Sequence, residues 1–248
     1  MRYFLKLSYR GMPFHGWQTQ PNAVSVQQTI ENALSTILRA PVQITGAGRT
    51  DAGVNARVMY AHFDVPDPID DDRLFIYRLN SLTGKDIVID SLIPVADDAH
   101  ARFDATSRTY RYLAHDFRSP FLYDRSWLAP AGLDYGLMNR AAAMLTEVDD
   151  FTSFAKLHSD SKTNICHVAR AEWIDLPEPG CHAFEITADR FLRNMVRAVV
   201  GTLVEVGRHK MSLEGFKAVI EARDRCEAGT SMPGHALYLW DVTYPYIK

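Results

Sequence analysis

TGAGRTDAGVNARVMYAHFDV, residues 45–65, begins as a loop of small side chains and ends as a strand. Three glycines lie in residues 46–53 together with Arg49 and Asp51, and almost no side chain there is large and apolar. From Val58 onward the β-branched and aromatic residues are typical of a strand. The stretch therefore predicts a glycine-rich loop that carries a carboxylate and leads into a strand.

The elements predicted on either side of this loop are a mixture of strands and helices. Residues 3–9, YFLKLSY, place every second side chain, aromatic or aliphatic, on one face of a strand. After a loop rich in Gly and Pro, Ser25 and Gln28 have the spacing of a capping box, and an apolar stripe at helical spacing continues to Leu38. Residues 87–95, IVIDSLIPV, predict another strand.

The second half of the chain shows the same mixture after a boundary near residues 95–105. The patterns predict a strand at 108–117, a helix at 135–145, a hairpin of strands at 167–176 and 182–188, helices at 191–206 and 212–223, and a closing strand at 236–246. Strands and helices in both halves indicate an α+β protein, with two domains, 1–104 and 105–248, around one sheet.

Composition and charge exclude several classes of protein. Of the 248 residues, 47% are hydrophobic and 23% charged, as in a globular protein rather than a disordered or fibrous one. No apolar run reaches the roughly 20 residues of a membrane span, and the N-terminus lacks the apolar stretch of a signal peptide. The three cysteines match no zinc spacing, so we expect reduced thiols in a cytoplasmic protein. The net charge of −3 argues weakly against nonspecific coating of nucleic acid.

The glycine loop fits neither of two common nucleotide-binding motifs. GAG at 46–48 could begin a dinucleotide fingerprint, but Asp51 stands where the third glycine is needed, and no Gly-Lys-Ser/Thr follows for a P-loop. One interpretation is a tight turn with a capping aspartate. The other is a functional carboxylate, in which Arg49 keeps the group ionised or binds phosphate and Asp51 acts as nucleophile or base.

A second stretch, RFDATSRTYRYLAHDF at 102–117, combines aromatic and basic residues. On a strand, Tyr110 and Tyr112 point to one face and Arg111 to the other. Such a tyrosine could stack on a base while arginines hold phosphates, or both tyrosines could pack in a core.

A basic helix is predicted within residues 190–210. Arg190, Arg193 and Arg197 have the spacing of one helix face, and apolar residues four apart form another. The basic face is either solvated or directed into a cleft. Because Arg197 lies among apolar neighbours, it needs an acidic partner if it is buried. Asp51 is a candidate that sequence alone does not join to it.

The loop FHGWQTQP at 14–21 leaves two alternatives for Trp17. The indole could line a nucleic-acid groove, or it could pack back on its own domain. The histidines of the chain show no spacing of a metal motif, so we predict no metal site.

Together these stretches resemble the tRNA pseudouridine synthase A family. GRTDAGVNA at 48–56 is similar to the family signature GRTDAGVHA, with Asn55 where the family usually has His. FHGWQTQP followed by SVQQTIENAL, ARFDATSRTYRY, DDFTSFAK, FLRNMVRAVVGTLVEVG and ALYLWDVTYP resemble other family segments, in the family's order and over nearly the whole chain.

The resemblance implies an isomerase that makes pseudouridine from uridine in the anticodon stem-loop of tRNA, at tRNA positions 38, 39 or 40, without a cofactor. It implies two α/β halves, ferredoxin-like or similar to RNA-recognition domains, that share a largely antiparallel central sheet with helices packed on it and an active-site cleft between them. It also implies a homodimer that binds tRNA and no membrane.

The resemblance also assigns roles to individual residues. Asp51 matches the catalytic nucleophile, and Tyr110 matches the tyrosine that stacks on the target base. Arg197 is similar to the arginine that pairs with the catalytic aspartate. Arg49, inside the signature, is implied as a contact to the substrate or the RNA backbone.

Two other functions remain compatible with the sequence. A noncatalytic RNA-binding protein would use the same basic and aromatic stretches, although it has no reason to keep a charged Asp51 in a glycine loop. An enzyme with the same chemistry on another RNA, or at another tRNA site, is compatible with Asn55 and with the acidic segment at 66–73.

Overall fold

The computed structural model describes residues 1–156 and 162–247, and these form an α+β protein with largely antiparallel strand pairing. The strands of the described ranges are β1 (Arg2–Tyr9), β2 (Thr45–Gly46), β3 (Asn55–Asp64), β4 (Ile87–Val95), β5 (Ser107–His115), β6 (Trp127–Leu128), β7 (Val168–Asp175), β8 (Cys181–Ala188) and β9 (Leu237–Thr243). The helices are α1 (Val26–Leu38), α2 (Asp72–Thr83), α3 (Tyr135–Ala143), α4 (Met195–Gly207) and α5 (Leu213–Ala222).

The chain divides into two compact units. The first contains residues 1–106 and 239–248, and the second contains residues 107–238. The last ten residues belong to the first unit because β9 returns to lie beside β3. The domain division expected from the sequence, 1–104 and 105–248, stays a prediction.

In the first unit β1 lies between β3 and β4 and is antiparallel to both. Leu5 of β1 is opposite Ala61 of β3 and Leu92 of β4. The predicted strand at 3–9 is confirmed, and its alternate side chains are all buried, as expected for the face that packs in a core. Phe4, on the other face, is buried as well, so β1 is covered on both sides.

The two helices of the first unit differ in how well the sequence predicts them. α1 begins as expected, where the Ser25 hydroxyl accepts a hydrogen bond from the Gln28 N–H at 3.2 Å. No helix was predicted over 72–83, yet α2 forms there with Asp71 as its cap. Its buried stripe is narrow, and exposed apolar residues such as Tyr77 obscure the helical period.

In the second unit β8 lies between β5 and β7, antiparallel to both, and β6 is parallel to β5. The predicted hairpin is confirmed as β7 and β8. Glu185 of β8, only 4% exposed, pairs with Arg111 of β5 and with Arg170 of β7. A buried carboxylate needs such partners, because an unpaired buried charge is costly.

The basic helix is shorter and less basic than predicted. α4 begins at Met195 rather than at 191, because Asn194 takes a left-handed conformation with φ 67°. Arg190 and Arg193 therefore precede the helix, and the predicted face that they share with Arg197 is wrong. Nearly every other residue of α4 is buried, so α4 is a core helix that carries one arginine.

Two further observations bear on the sequence predictions. None of the helices in residues 1–156 and 162–247 combines the length and the apolar character that a membrane-spanning helix needs. The three cysteines are free thiols, of which Cys166 and Cys181 are buried and Cys226 is exposed.

Candidate active site

The glycine loop joins β2 to β3 as one hairpin. Its base is closed where the Ala47 N–H donates to the Tyr60 carbonyl at 2.8 Å. Near its other end the Val54 N–H donates to the Asp51 carbonyl at 3.1 Å, which makes residues 51–54 a tight turn. Gly53, the third residue of the turn, has φ 76°, a conformation that glycine adopts without strain. Asp51 thus opens a turn, and its side chain is half-buried.

The N-terminal loop, residues 10–24, holds this turn on both sides of the aspartate. The Trp17 N–H donates to the Thr50 carbonyl at 3.2 Å, and the Gly53 N–H donates to the Phe14 carbonyl at 3.4 Å. The hydroxyls of Tyr9 and Thr50 share a hydrogen bond of 2.8 Å, and both side chains are buried. The backbone before and after the carboxylate is therefore fixed before any substrate binds.

Trp17 packs on its own unit. Its side chain is 3% exposed, and its ring lies against that of Tyr9 with centroids 6.1 Å apart. A Cβ on Gly46 would lie 2.5 Å from the indole, so the first glycine of the loop is needed for this close approach. Of the two alternatives for Trp17, packing on its own domain is confirmed.

Asn55 fixes the end of the loop. Its side chain is 2% exposed, and its Oδ1 accepts a hydrogen bond from the Gly11 N–H at 2.8 Å. The residue in which this chain departs from the family signature thus connects β3 to the N-terminal loop.

Arg49 is exposed and does not pair with Asp51. Within the part of the chain that the structure describes, its guanidinium makes neither a hydrogen bond nor an ion pair. Gly48 before it has open space where a Cβ would be. The charge of Arg49 is therefore directed to solvent from the surface of the loop.

The two tyrosines of the second unit have different environments. Tyr110 of β5 is opposite Ile186, is half-buried, and packs edge-to-face on Phe191 with centroids 5.0 Å apart. Tyr112 is fully buried opposite Phe184, and burial raises the pKa of its hydroxyl. Packing in the core is confirmed for Tyr112, whereas the ring of Tyr110 keeps an accessible part.

The arginines on either side of Tyr110 make hydrogen bonds within the second unit. Arg111 Nε donates to the buried carboxylate of Glu185, and Arg108 Nη1 donates to the Asp189 carbonyl at 2.7 Å. The ion pair of Arg111 neutralises a charge inside the sheet. The idea that this residue holds a phosphate therefore has no support.

Arg197, in the first turn of α4, is half-buried and held by backbone. Its Nε donates to the Met232 carbonyl at 2.5 Å, and its own carbonyl accepts the Met232 N–H at 3.1 Å. Next to it, Asn194 Nδ2 donates to Ser231 Oγ at 2.6 Å. The segment at 229–232 thus orients the guanidinium plane.

Asp51 and Arg49 lie in one loop of the first unit, and Tyr110 and Arg197 lie in the second unit. The residues that hold them, such as Tyr9 and Met232, were not found from the sequence. They lie 35 or more positions away, and no periodic pattern marks them. No group of three or more potential metal ligands occurs among the described residues.

Comparison with known proteins identifies relatives over the whole chain. A family model described as tRNA pseudouridine synthase matches residues 141–245. The chain is 55% identical to the tRNA pseudouridine synthase A of Parabacteroides distasonis, over 98% of this chain and 96% of the relative. It is 54% identical to that of Porphyromonas gingivalis, over 98% and 97%, and 34% identical to that of Exiguobacterium sibiricum, over 100% and 98%.

Identity of this degree over the full length of both proteins extends well beyond the signature motif. It covers both units, including the loop of Asp51 and the strand of Tyr110. The resemblance predicted from the motifs is confirmed, and the chain belongs to the tRNA pseudouridine synthase A family of isomerases.

Proposed function

We propose that this chain converts uridine to pseudouridine in the anticodon arm of tRNA, at tRNA positions 38, 39 or 40, with Asp51 as the nucleophile. The observation that carries the proposal is the loop of Asp51, whose backbone is bound on both sides of the carboxylate by the N-terminal loop. A carboxylate whose backbone is held before the substrate arrives has less freedom to lose, which lowers the entropic cost of reaching the transition state.

The proposed reaction rearranges one nucleotide. The N1–C1′ bond breaks, the uracil turns, and C5 bonds to C1′. The hydrogen on C5 leaves as a proton and N1 gains a proton, so atoms and electrons balance and no cofactor is proposed. Asp51 attacks C6 of the base or C1′ of the ribose, or it removes a ribose proton in an elimination route. Each route needs an ionised carboxylate.

Tyr110 is the proposed stacking partner of the target base. A uridine in a folded stem-loop leaves its stack at a cost of a few kcal/mol, and stacking on an aromatic ring returns roughly 1–3 kcal/mol. The ring of Tyr110 is suited to this role because it is half-buried and supported by Phe191. Tyr112, fully buried two residues later, offers no accessible ring face.

The two arginines have separate proposed roles. Arg197 supplies a positive charge that keeps the catalytic carboxylate ionised and holds the substrate. The bond to the Met232 carbonyl supports this role, since it fixes the plane of the guanidinium. Arg49 contacts the RNA backbone, and its exposed guanidinium on the loop surface supports this role.

The proposed partner is the anticodon arm of tRNA, and the proposed assembly is a homodimer. Both proposals rest on membership of the family. The cytoplasm, where tRNA is transcribed and modified in a bacterium, is the proposed location.

A tritium-release assay on tRNA labelled at C5 of uridine tests the proposal. C5 loses its hydrogen only when it bonds to C1′, so the wild-type chain should release tritium. Asp51→Asn keeps the size and the turn geometry of the residue, and we expect it to fold and bind tRNA but to release none. The proposal fails if Asp51→Asn turns over at a rate near that of the wild type, or if the wild type binds tRNA without release.

Mapping pseudouridine in tRNA from a strain that lacks the gene tests the target site. We expect the anticodon-arm pseudouridines to be missing and to return with a plasmid copy of the wild-type gene. Their persistence in the deletion strain would show that the enzyme modifies another site or another RNA.

A further inference from the structure

A second exposed arginine follows the loop of Asp51 on the same hairpin. Arg57 lies on β3, two residues after Asn55, and its guanidinium carbon is 4.5 Å from the ring centroid of Trp240 on β9. Both residues belong to the first unit. Arg57 is exposed and Trp240 is half-buried, so the indole forms a support on which the guanidinium lies.

The hydrogen-bonding capacity of Arg57 is unused in the described part of the protein, where its guanidinium makes no hydrogen bond and no ion pair. The carboxylate beside Trp240, that of Asp241, accepts the N–H of Val242 at 2.9 Å. In contrast, Arg2 of the same sheet donates two hydrogen bonds to Asp64, each of 2.8 Å.

The contact with Trp240 restricts the side chain of Arg57 before a ligand binds. A guanidinium held over an aromatic ring by a cation–π contact has fewer accessible orientations, and the N–H donors at its edge remain available. This restriction reduces the conformational entropy that is lost when a ligand binds. A planar fork of donors matches the oxygens of a phosphate.

We propose that Arg57, oriented by Trp240, binds a backbone phosphate of the tRNA substrate and so helps to position the nucleotide that reacts at Asp51. The inference rests on the proposed function, because that function supplies the tRNA ligand. It adds to that function one further contact between the protein and the tRNA. Arg49 and Arg57 lie before and after the aspartate on one hairpin, both are exposed, and neither guanidinium makes a hydrogen bond or an ion pair among the described residues. Two exposed positive charges on one hairpin are suited to binding a polyanion such as RNA.

The alternative is that Arg57 only covers the indole of Trp240 with its aliphatic stem. Arg57→Met separates the two, because methionine covers the ring and carries no charge. Arg57→Lys keeps the charge without the planar fork. Arg78→Met on α2 is the matched control, since Arg78 is also exposed and makes no ion pair in the described ranges.

The measurement is the dissociation constant for an unmodified tRNA transcript at several salt concentrations, with the saturating single-turnover rate measured alongside. For Arg57→Met we expect binding several-fold weaker at low salt and a salt slope that is smaller by about 0.7–0.9, the value for one lost phosphate contact. The saturating rate should fall as well, because the reacting nucleotide is positioned less well, whereas the melting temperature should stay near that of the wild type. Arg57→Lys should keep the slope of the wild type.

Trp240→Leu tests the positioning role of the indole. It should weaken binding while the salt slope stays unchanged, because the charge remains but is no longer oriented. If Arg57→Met has the slope and affinity of Arg78→Met, Arg57 is a cover for the ring and the inference is wrong. If Asp51→Asn keeps releasing tritium, the proposed function is wrong instead, since the slope is measured on binding alone.

Discussion

At the scale of single residues, the loop of Asp51 depends on hydrogen bonds made by polar groups far apart in sequence. Thr50, before the aspartate, is bound through its carbonyl and its hydroxyl, and Gly53 after it is bound through its N–H. Asn55 completes the set through Gly11. The backbone on either side of Asp51 is thus held mainly by the N-terminal loop and by Tyr9.

Replacing Asn55 by Ala should destabilise the protein. The Gly11 N–H would lose its acceptor in a buried position, and an unsatisfied buried donor costs about 1–3 kcal/mol. Urea unfolding should show a free energy of unfolding lower by this amount. Turnover should fall as well, because the end of the loop is released.

Asn32→Ala on the exposed side of α1 is the control for this change, since it removes an amide from the surface. It should change the free energy of unfolding by less than about 0.5 kcal/mol. Equal stability of Asn55→Ala and Asn32→Ala would show that the Gly11 bond contributes nothing to the fold.

At the scale of elements, α4 and the segment at 229–232 act as one support for Arg197. The segment crosses the helix at Gly201, where an added Cβ would lie 1.8 Å from the Thr230 carbonyl oxygen. The Gly229 N–H donates to Thr202 Oγ1 at 2.9 Å. Close backbone contact of this kind requires glycine in the helix, despite its low helix propensity.

Gly201→Ala should therefore displace the segment and reduce activity. A backbone carbonyl cannot move as a flexible side chain does, so we expect a loss of about 1–3 kcal/mol of stability from overpacking. Because Met232 holds Arg197, the saturating tritium-release rate should fall at a temperature where the variant is still folded.

Gly136→Ala in α3 is the matched control. The added Cβ there would meet only the Asp134 carboxylate, at 3.4 Å. We expect unchanged or slightly greater stability, by up to about 1 kcal/mol, because alanine is the better helix former. If Gly201→Ala behaves like Gly136→Ala, the contact with the segment does not matter for the fold.

The elements also show which features the sequence could predict. The strand at β1, the cap and stripe of α1 and the β7–β8 hairpin follow from local periodicity and turn residues, and all were predicted. α2 was missed because its buried stripe consists of three residues among exposed apolar ones. The start of α4 was wrong because the left-handed conformation of Asn194 interrupts a periodic pattern that continues through it.

The same distinction applies to the candidate site. Asp51 and Tyr110 were proposed from motifs, because a charged residue in a glycine loop and a tyrosine between arginines are unusual locally. Their supports, such as Tyr9 for the loop of Asp51 and Phe191 for Tyr110, join segments that are distant along the chain, as does the contact of Arg57 with Trp240. Such contacts depend on the tertiary fold, so no local sequence pattern predicts them.

At the scale of the whole molecule, the stability should depend on pH through a buried histidine. His62 is 7% exposed, and burial, followed by the charges of Arg2 and His100, lowers its pKa to about 4. Burial also lowers the pKa of His100, which stacks on it edge-to-face at 4.6 Å. Asp64 and Asp104 oppose the shift of His62 and do not cancel it.

The sign of the effect follows from proton binding. An unfolded histidine titrates near 6.5, so between pH 6.5 and about 4 the unfolded chain binds the proton that folded His62 does not. This contribution to stability is complete above pH 6.5 and is lost as the pH falls toward 4. A shift of this size corresponds to roughly 3 kcal/mol in total.

Urea unfolding of the wild type and His62→Gln, at pH 7.5 and at pH 5, measures this contribution. Glutamine keeps an acceptor for the Ala101 N–H that His62 Nδ1 accepts, and it does not titrate. The loss of stability on acidification should be smaller in the variant by 1 kcal/mol or more.

His167→Gln is the control for the pH experiment. His167 is exposed beside Asp149, which raises its pKa, so its contribution is present below pH 6.5 and is lost as the pH rises through the folded pKa. His167→Gln should therefore not reduce the loss of stability between pH 7.5 and pH 5. If His62→Gln loses as much stability on acidification as the wild type, other groups cause the loss.

The return of residues 239–248 to the first unit has a consequence for biosynthesis. While the ribosome adds residues 107–238, the emerged N-terminal segment has an incomplete sheet, because the strand that lies beside β3 has not been made. At bacterial elongation rates this period lasts roughly ten seconds, during which an open strand edge can pair with other chains. We therefore expect this edge of the nascent polypeptide to need protection until β9 has been synthesised.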